Sequence, residues 1–245
     1  MEMTVLGSGA AFARDALNAG YVLDRRLLVD AGAPAHVSLA RTGHDVGQLE
    51  AAIMTHRHAD HTFGLPFVMA TRAVYHRNAP PFTVVGPPGF AEYISKLMEL
   101  AWGKTLHRIV WERLQLTMTE IKPGQTIEVA GFDVHAEEVV HVRDQTCVGY
   151  AFARNGVRFG FSGDCGDCDG LVRLIDRCDD FLIEMTDLPD DPGHLDRKTV
   201  AAYAARFPDK RFYATHLNNR QPLPGVELMQ DLQTIELRPR QATQA

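Results

Sequence analysis

Residues 55–61, with the sequence THRHADH, constrain this chain more than any other stretch. In an extended backbone alternate side chains point to the same side, so His56, His58 and Asp60 can face one cavity. His61 can join them if the chain turns there. The alternative interpretation is a polar surface loop. Imidazoles and carboxylates without thiolates favour a metal site, with zinc as the first choice and manganese or iron as substitutes.

Composition favours an ordinary α/β domain with a sizeable core. The chain has 245 residues, of which 45% are hydrophobic and 23% are charged. No repeat or polar linker divides it, so we expect one domain over residues 1–245. The start, MEMTVLGSGAAF, has no basic segment followed by a long apolar run, which favours a cytoplasmic location and no membrane partner. We expect disorder only in the tail RPRQATQA (238–245).

The charge balance gives little attraction for nucleic acid. The formal net charge is −6, whereas nucleic-acid surfaces are usually basic. Cations cluster only in residues 104–113 and 206–220, so a nucleic-acid partner stays open without being favoured. Four cysteines are too few for a disulfide framework, and we expect reduced thiols.

The hydrophobic pattern predicts strands alternating with helices. Asn155-Gly156 predicts a two-residue hairpin turn, because both residue types tolerate positive φ. Helices are predicted over residues 89–102 with Gly103 as the stop, over 169–178, and after a cap at Asp196. The predicted strands are residues 3–7, 21–30, 51–55, 82–86, 126–142, 148–163, 181–185 and 211–216. This alternation indicates an α/β architecture with mixed sheets.

Further metal-binding residue types lie where predicted strands end. His141 ends the apolar run EEVVH, Asp164 follows RFGFSG, and His216 closes RFYAT. Loops that leave the carboxyl edge of α/β sheets converge, whereas the strands beneath them stay rigid. We therefore expect these three residues to join the 56–61 motif in one site.

Several segments together carry a resemblance to a known family. They occur in the family's order and cover nearly the whole chain: VLGSGAAF (5–12), LLVDAG (27–32), IMTHRHADHTFGLP (53–66), VVGPPGF (84–90), FGFSGDC (159–165), FLIEMT (181–186), GHLD (193–196) and FYATHLNNR (212–220). The chain resembles the metallo-β-lactamase-fold hydrolases, and within them the ribonuclease Z and phosphodiesterase branch. The resemblance implies an αββα sandwich of two mixed β-sheets flanked by helices.

The resemblance also implies two divalent metal ions and a division of their ligands. His56, His58 and His141 would bind one ion, Asp60, His61 and His216 the other, and Asp164 would bridge them. Two such ions about 3.5–4 Å apart can share a hydroxide that serves as the nucleophile. Asp60 would orient this hydroxide and accept the proton that is released when it forms from water.

Two further site residues are implied by the resemblance. His194 matches a histidine that holds the substrate phosphate or protonates the leaving group, and Glu184 matches the acidic residue that orients it. The alternative for His194 is a role in capping or solvating its loop. Cys165 adjoins Asp164, but we interpret it as a small buried residue rather than a ligand.

The substrate remains open at this point. Ribonuclease Z enzymes that mature transfer RNA carry a long arm between the signature and the third metal histidine, and this chain lacks it. A small phosphodiester is therefore favoured, which a cation such as Arg220 near the metals would support. A lactone or carboxylic ester is the alternative, which an apolar pocket lined by Phe63, Leu65, Phe67 and Trp102 would support.

Three other expectations remain. A non-catalytic metal-binding module would keep the ligands but hydrolyse nothing. A di-iron redox protein is also conceivable, although it normally works beside a flavin domain, and we see none in the sequence. Relatives in this branch are often dimers, so a homodimer is the expected assembly if there is one.

Overall fold

Two seven-stranded mixed β-sheets form the centre of the protein in the computed structural model, which describes residues 1–188 and 190–239. In spatial order, the first sheet contains β14 (Thr234–Glu236), β1 (Glu2–Gly7), β2 (Gly20–Leu23), β3 (Leu27–Ala31), β4 (Ala51–Ile53), β5 (Thr83–Gly86) and β6 (Thr117–Glu120). The second sheet contains β13 (Val226–Leu228), β12 (Arg211–Thr215), β11 (Asp180–Glu184), β10 (Val157–Phe161), β9 (Val148–Arg154), β8 (Phe132–Glu138) and β7 (Thr126–Val129).

Each sheet is antiparallel in one part and parallel in the other. Strands β14, β1, β2 and β3 pair antiparallel, and β3 to β6 pair parallel. Strands β7 to β10 pair antiparallel, and β10 to β13 pair parallel. The helices are α1 (Ala35–Arg41), a 3₁₀ turn (Val46–Gln48), α2 (Ala59–Thr62), α3 (Leu65–Tyr75), α4 (Phe90–Leu114), α5 (Asp169–Arg177) and α6 (Arg197–Arg206).

Three apolar clusters define the layers. One joins side chains of both sheets, for example Val29 and Tyr150, and so lies between them. A second packs α1, α3 and α4 on the first sheet, and a third packs α5 and α6 on the second. Burial of one face of each helix and both faces of each sheet gives four layers. This order confirms the predicted αββα sandwich.

Several predicted elements differ from the structure in their bounds. Residues 21–30 and 126–142 each form two strands, because Asp24-Arg25 and Ala130-Gly131 adopt positive φ and reverse the chain. The hairpin at Asn155-Gly156 is confirmed, with φ of 51° and 77°.

Gly103 has non-helical backbone angles, φ 72° and ψ 163°, so the first helical segment of α4 ends there as predicted. A second helical segment, which was not predicted, follows it to Leu114, which is buried on the first sheet. Of the tail predicted to be disordered, residues 240–245 lie outside the described residues. Within residues 1–188 and 190–239, no helix combines the length and apolarity needed to cross a membrane.

Candidate metal centre

Loops that leave β4, β8, β10 and β12 bring the predicted ligands together. Two groups each have ligand atoms within 4.8 Å of one another, and both groups include Asp164. The first group is His56, His58, His141 and Asp164, and the second is Asp60, His61, Asp164 and His216. The structure thus places all seven residues as the sequence predicted, although their roles as metal ligands stay predictions.

The short helix α2 explains how adjacent residues reach different groups. His56 and His58 lie on the extended segment after β4, and the helix begins at Ala59. The turn carries Asp60 and His61 back toward the first histidine, so that the ring centroids of His56 and His61 are 4.3 Å apart. The expected turn of the chain after the extended HRH segment is therefore present.

Asp164 lies between the two groups. Its Oδ1 is 3.1 Å from Nε2 of His61, and its Oδ2 is 3.4 Å from Nε2 of His216. The same Oδ2 is 3.9 Å from Nε2 of both His56 and His141. A single carboxylate therefore faces imidazoles of both groups, which is the arrangement that a bridging ligand requires.

Asp30, near the end of β3, is fully buried and orients side chains of the site. Its Oδ2 accepts hydrogen bonds from Nδ1 of His61 at 2.7 Å and from the Thr55 hydroxyl, and its Oδ1 accepts one from the Thr55 amide. The Thr55 hydroxyl donates to Asp30 and lies 3.0 Å from Nδ1 of His56, so it accepts there. The sequence pattern predicted no role for Asp30 or Thr55. The signal was a carboxylate ending the apolar run LLVD.

A backbone carbonyl orients the imidazole of His141. Nδ1 of His141 donates to the carbonyl of Gly193 at 2.8 Å, so its Nε2 carries the lone pair. This Nε2 lies 3.1 Å from Nδ1 of His58. Hydrogen bonds of this kind orient metal-binding histidines in proteins generally.

Glu184 is fully buried and orients His194. Its Oε1 accepts from Nδ1 of His194 at 2.7 Å and from the amides of Cys165 and Leu195. Its Oε2 accepts from the amide and the hydroxyl of Thr186. The predicted contact between Glu184 and His194 is present. Cys165 is buried, as expected, and its amide donates to Glu184.

The buried polar atoms of the site fit divalent cations. Among the described residues, Nε2 of His56, Nε2 of His61 and Oδ1 of Asp164 are buried without a well-aligned hydrogen bond, although the last two atoms lie 3.1 Å apart. An unsatisfied buried polar group costs about 1–3 kcal/mol, so three in one place need a compensating partner. A nitrogen and oxygen donor set of this kind suits zinc, and cations at the two groups would satisfy all three atoms.

The histidines and carboxylates of the site shift one another's pKa values. Burial lowers the pKa of His56 well below its usual value, and the neighbouring His61 lowers it further. Burial would also lower the pKa of His61, but Asp164, Asp30 and Asp60 together raise it well above its usual value. Burial opposes ionisation of Asp60 and Asp164, yet the histidines hold both carboxyl pKa values below their usual range. The carboxylates are therefore ionised and available to cations.

Residues 25–217 match the family model described as the Beta-lactamase superfamily domain. The chain belongs to this superfamily. This match confirms the resemblance on which the ligand assignment depends.

Proteins similar to this chain include a ribonuclease Z, a tRNase Z and a diphosphatase. Ribonuclease Z of Listeria welshimeri is 29% identical over 148 residues, which are 58% of this chain and 46% of that protein. The chain thus aligns with less than half the length of this relative. The short form of human tRNase Z has a TM-score of 0.78 at 24% identity, covering 97% of this chain and 100% of that one. A diphosphatase from the PhnP family has a TM-score of 0.73 at 18% identity, covering 97% and 98%.

A cleft of about 480 Å³ opens beside the second group of predicted ligands, which contains Asp60 and His216. One wall is polar and contains His58, Asp60, Asp164, His194 and His216. The rest is mostly apolar and contains Ala11, Phe12, Asn18, Ala33, Ala59 and Phe63. No lysine or arginine among the described residues lines this cleft.

Most of the residues expected to distinguish a phosphodiester from a lactone do not line the cleft. The guanidinium of Arg220 donates to the Met229 carbonyl and to the Ser8 hydroxyl, and Arg220 lines a separate cavity. Leu65 is fully buried and does not line the cleft. Of the four apolar residues proposed for a lactone pocket, Phe63 alone lines it, since Phe67 packs against Trp102 instead.

Proposed function

We propose that this chain is a binuclear metal-dependent hydrolase that acts on a small phosphodiester. The observation that carries the proposal is Asp164, whose two oxygens face imidazoles of both ligand groups. Relatives named ribonuclease Z and a structural neighbour named diphosphatase support phosphoester chemistry. We propose zinc as the resident ion, because the donors are nitrogen and carboxylate oxygen.

Two divalent ions, when bound, would supply an activated hydroxide and neutralise charge that develops on the phosphoryl oxygens. Asp60 is placed to orient the attacking water, since its Oδ2 lies 3.1 Å from Nε2 of His216 and 3.4 Å from Nε2 of His61. As an ionised carboxylate that lines the cleft, it can also accept the proton of that water.

His194 is placed to handle the proton of the leaving group. Glu184 occupies Nδ1, so Nε2 is the nitrogen left for substrate, and the ring lines the cleft beside His216. A carboxylate at Nδ1 fixes the tautomer and increases the basicity of the ring. His194 would therefore donate a proton to the departing oxygen or hold the phosphoryl group.

Two features favour a small substrate over a long nucleic acid. Affinity for nucleic acid comes chiefly from lysine and arginine at phosphates, and no such side chain in the described residues lines the cleft. The net charge of −6 acts in the same direction. A nucleic-acid substrate is therefore not favoured, and a homodimer remains a prediction that light scattering can test.

A second candidate, a lactone or carboxylic ester hydrolase, is favoured by one observation. Apart from the proposed ligands and His194, the cleft is lined mainly by alanine and phenylalanine side chains. A neutral ester would lose less hydration there than a phosphodiester anion. The same bimetallic chemistry can attack a carbonyl carbon.

One experiment separates the candidates. The zinc-loaded protein is assayed with bis-p-nitrophenyl phosphate and with a panel of lactones, and its metal content is measured by elemental analysis. We expect about two metal ions per chain and turnover of the phosphodiester. Faster turnover of a lactone would select the second candidate, and metal binding without either activity would indicate a non-catalytic module. Less than one ion per chain would overturn the proposal.

A further inference from the structure

We infer that Phe12 is a specificity residue that binds an aromatic substituent of the substrate, with Phe63 forming the adjacent wall. The inference rests on the proposed function, because both side chains line the cleft that contains Asp60, Asp164 and His194. A group held there would lie next to the reacting ester. The proposed ligands and acid residues do not account for either phenylalanine.

The exposure of Phe12 is the first observation. Its side chain is 93% exposed, the highest value among the large hydrophobic residues described, and Phe63 is 49% exposed. A phenylalanine left in water gives up the hydrophobic free energy that burial provides. Two such rings lining one cleft form an apolar surface that a ligand can cover.

The backbone around Phe12 fixes its position relative to the ligands. The amide of Ala10 donates to the carbonyl of Leu217 at 3.3 Å, directly beside His216. On the other side of the loop, the side-chain amide of Asn18 donates to the Ala11 carbonyl at 3.2 Å. The two residues before Phe12 are therefore tied to the site, whereas its ring stays uncovered.

The charge and size of the cleft indicate which chemical class of substrate it would bind. No described lysine or arginine lines it, so a second phosphate or a polyanionic chain would gain no ion pair there. An aromatic ring would gain stacking and edge contacts with phenylalanine. A volume of about 480 Å³ is at the small end of ligand sites and is enough for a phosphoryl group with one ring. The geometry thus assigns an aryl-substituted phosphoester to this site.

The test measures binding separately from turnover. Isothermal titration of the zinc-loaded protein compares phenylphosphonate with methylphosphonate, which differ only in the substituent. We expect phenylphosphonate to bind roughly five- to tenfold more tightly, and this ratio to fall toward one in Phe12→Ala. Because Phe12 is almost fully exposed, the variant should keep its fold and thermal midpoint.

Tyr75→Ala is the matched control, since Tyr75 is an exposed aromatic residue, 78% exposed, that does not line the cleft. Tyr75→Ala should keep the full ratio of affinities for phenylphosphonate and methylphosphonate. Equal affinities in the unaltered protein, no binding of either phosphonate, or a ratio unchanged by Phe12→Ala would overturn the inference.

Turnover of bis-p-nitrophenyl phosphate distinguishes a failure of the aromatic contact from a failure of the proposed function. If the phosphodiester is hydrolysed but the phosphonates bind equally, the aromatic contact is refuted and the proposed function stands. If phenylphosphonate binds better through Phe12 but no phosphodiester is hydrolysed, the proposed function is wrong and the aromatic contact stands.

Discussion

The hydroxyl oxygen of Thr186 lies 2.7 Å from Nδ1 of His216. Because this hydroxyl donates its single hydrogen to Oε2 of Glu184 at 2.9 Å, it accepts the Nδ1 proton of the imidazole. The lone pair of His216 is thereby placed on Nε2, which faces Asp60 at 3.1 Å. Glu184 also holds His194, so one buried carboxylate orients both a predicted metal ligand and the predicted acid.

Thr186→Val should weaken metal binding at the group that contains His216. Valine has a similar shape but no hydroxyl, so the imidazole loses the acceptor that fixes its tautomer. We expect a loss of roughly 10- to 100-fold in affinity for one of the two zinc ions, measured by competition with a chromogenic chelator. Thr186→Ser keeps the hydroxyl and should restore most of the affinity. If valine and serine behave alike, the hydroxyl has no such role.

Asp164→Ala should remove or severely weaken both metal sites, because this carboxylate belongs to both ligand groups. Zinc at 1,000 times its dissociation constant stabilises a folded protein by about 4 kcal/mol per site, which raises the thermal midpoint by roughly 10 °C. We expect that rise in the unaltered protein and its absence in the variant. The control is Asp133→Ala, which removes an exposed carboxylate outside both groups. A full zinc-dependent rise in Asp164→Ala contradicts the shared-ligand assignment.

His194→Ala should keep its metal but lower turnover, by about 10²- to 10⁴-fold if proton donation is its role. The deficit should grow as the leaving group becomes more basic, since p-nitrophenolate departs with little need of an acid. Kinetics on aryl phosphodiesters with different phenols, together with metal analysis of each preparation, test this. Normal turnover, or the same deficit with every phenol, would refute the acid role.

Asp196 provides a pH-dependent contribution to stability outside the ligand groups. It caps α6, and hydrogen bonding to Thr199 lowers its carboxyl pKa below the usual 3.8. A lowered folded-state pKa means that the stabilisation is complete above pH 3.8 and is lost as the pH falls through the folded-state value. Asp196→Ala should lower the free energy of unfolding by about 1 kcal/mol at pH 7, measured by urea denaturation.

The cap prediction has its own matched variant. Asparagine caps helices about as well as aspartate but does not ionise, so Asp196→Asn should keep stability at pH 7 without this pH dependence. If the difference between the unaltered protein and Asp196→Ala were the same at pH 3 and pH 7, the carboxylate would not be responsible.

Much of the ligand set could be predicted because its signals are local. Residues 56–61 are adjacent in sequence, and His141, Asp164 and His216 follow strands that apolar runs reveal. The hairpin at Asn155-Gly156 is equally local, because positive φ at both residues defines the turn. The strand bounds were harder: β8 ends at Glu138, so His141 lies in the following loop rather than at the strand end.

Other features depended on contacts between distant residues. Gly103 ends the first helical segment of α4 as predicted, but the second segment, which packs Val110 and Leu114 on the first sheet, was not predicted. Arg220 follows the last predicted ligand closely in sequence, but its guanidinium turns to Ser8 and Met229. Neither outcome follows from local propensity, because each depends on which groups the fold brings near.

By itself, the sequence determined the kinds of donor atoms, their places after predicted strands and an α/β architecture with mixed sheets, since residue type and hydrophobic period are properties of short segments. The four-layer arrangement was implied by the resemblance to the metallo-β-lactamase-fold hydrolases. Only the tertiary structure decided that Asp30 and Thr186 support the imidazoles and that Phe12 stands uncovered beside Asp164. The physical reason is that hydrogen-bond partners and solvent exposure depend on segments far apart in the chain, which only folding brings together.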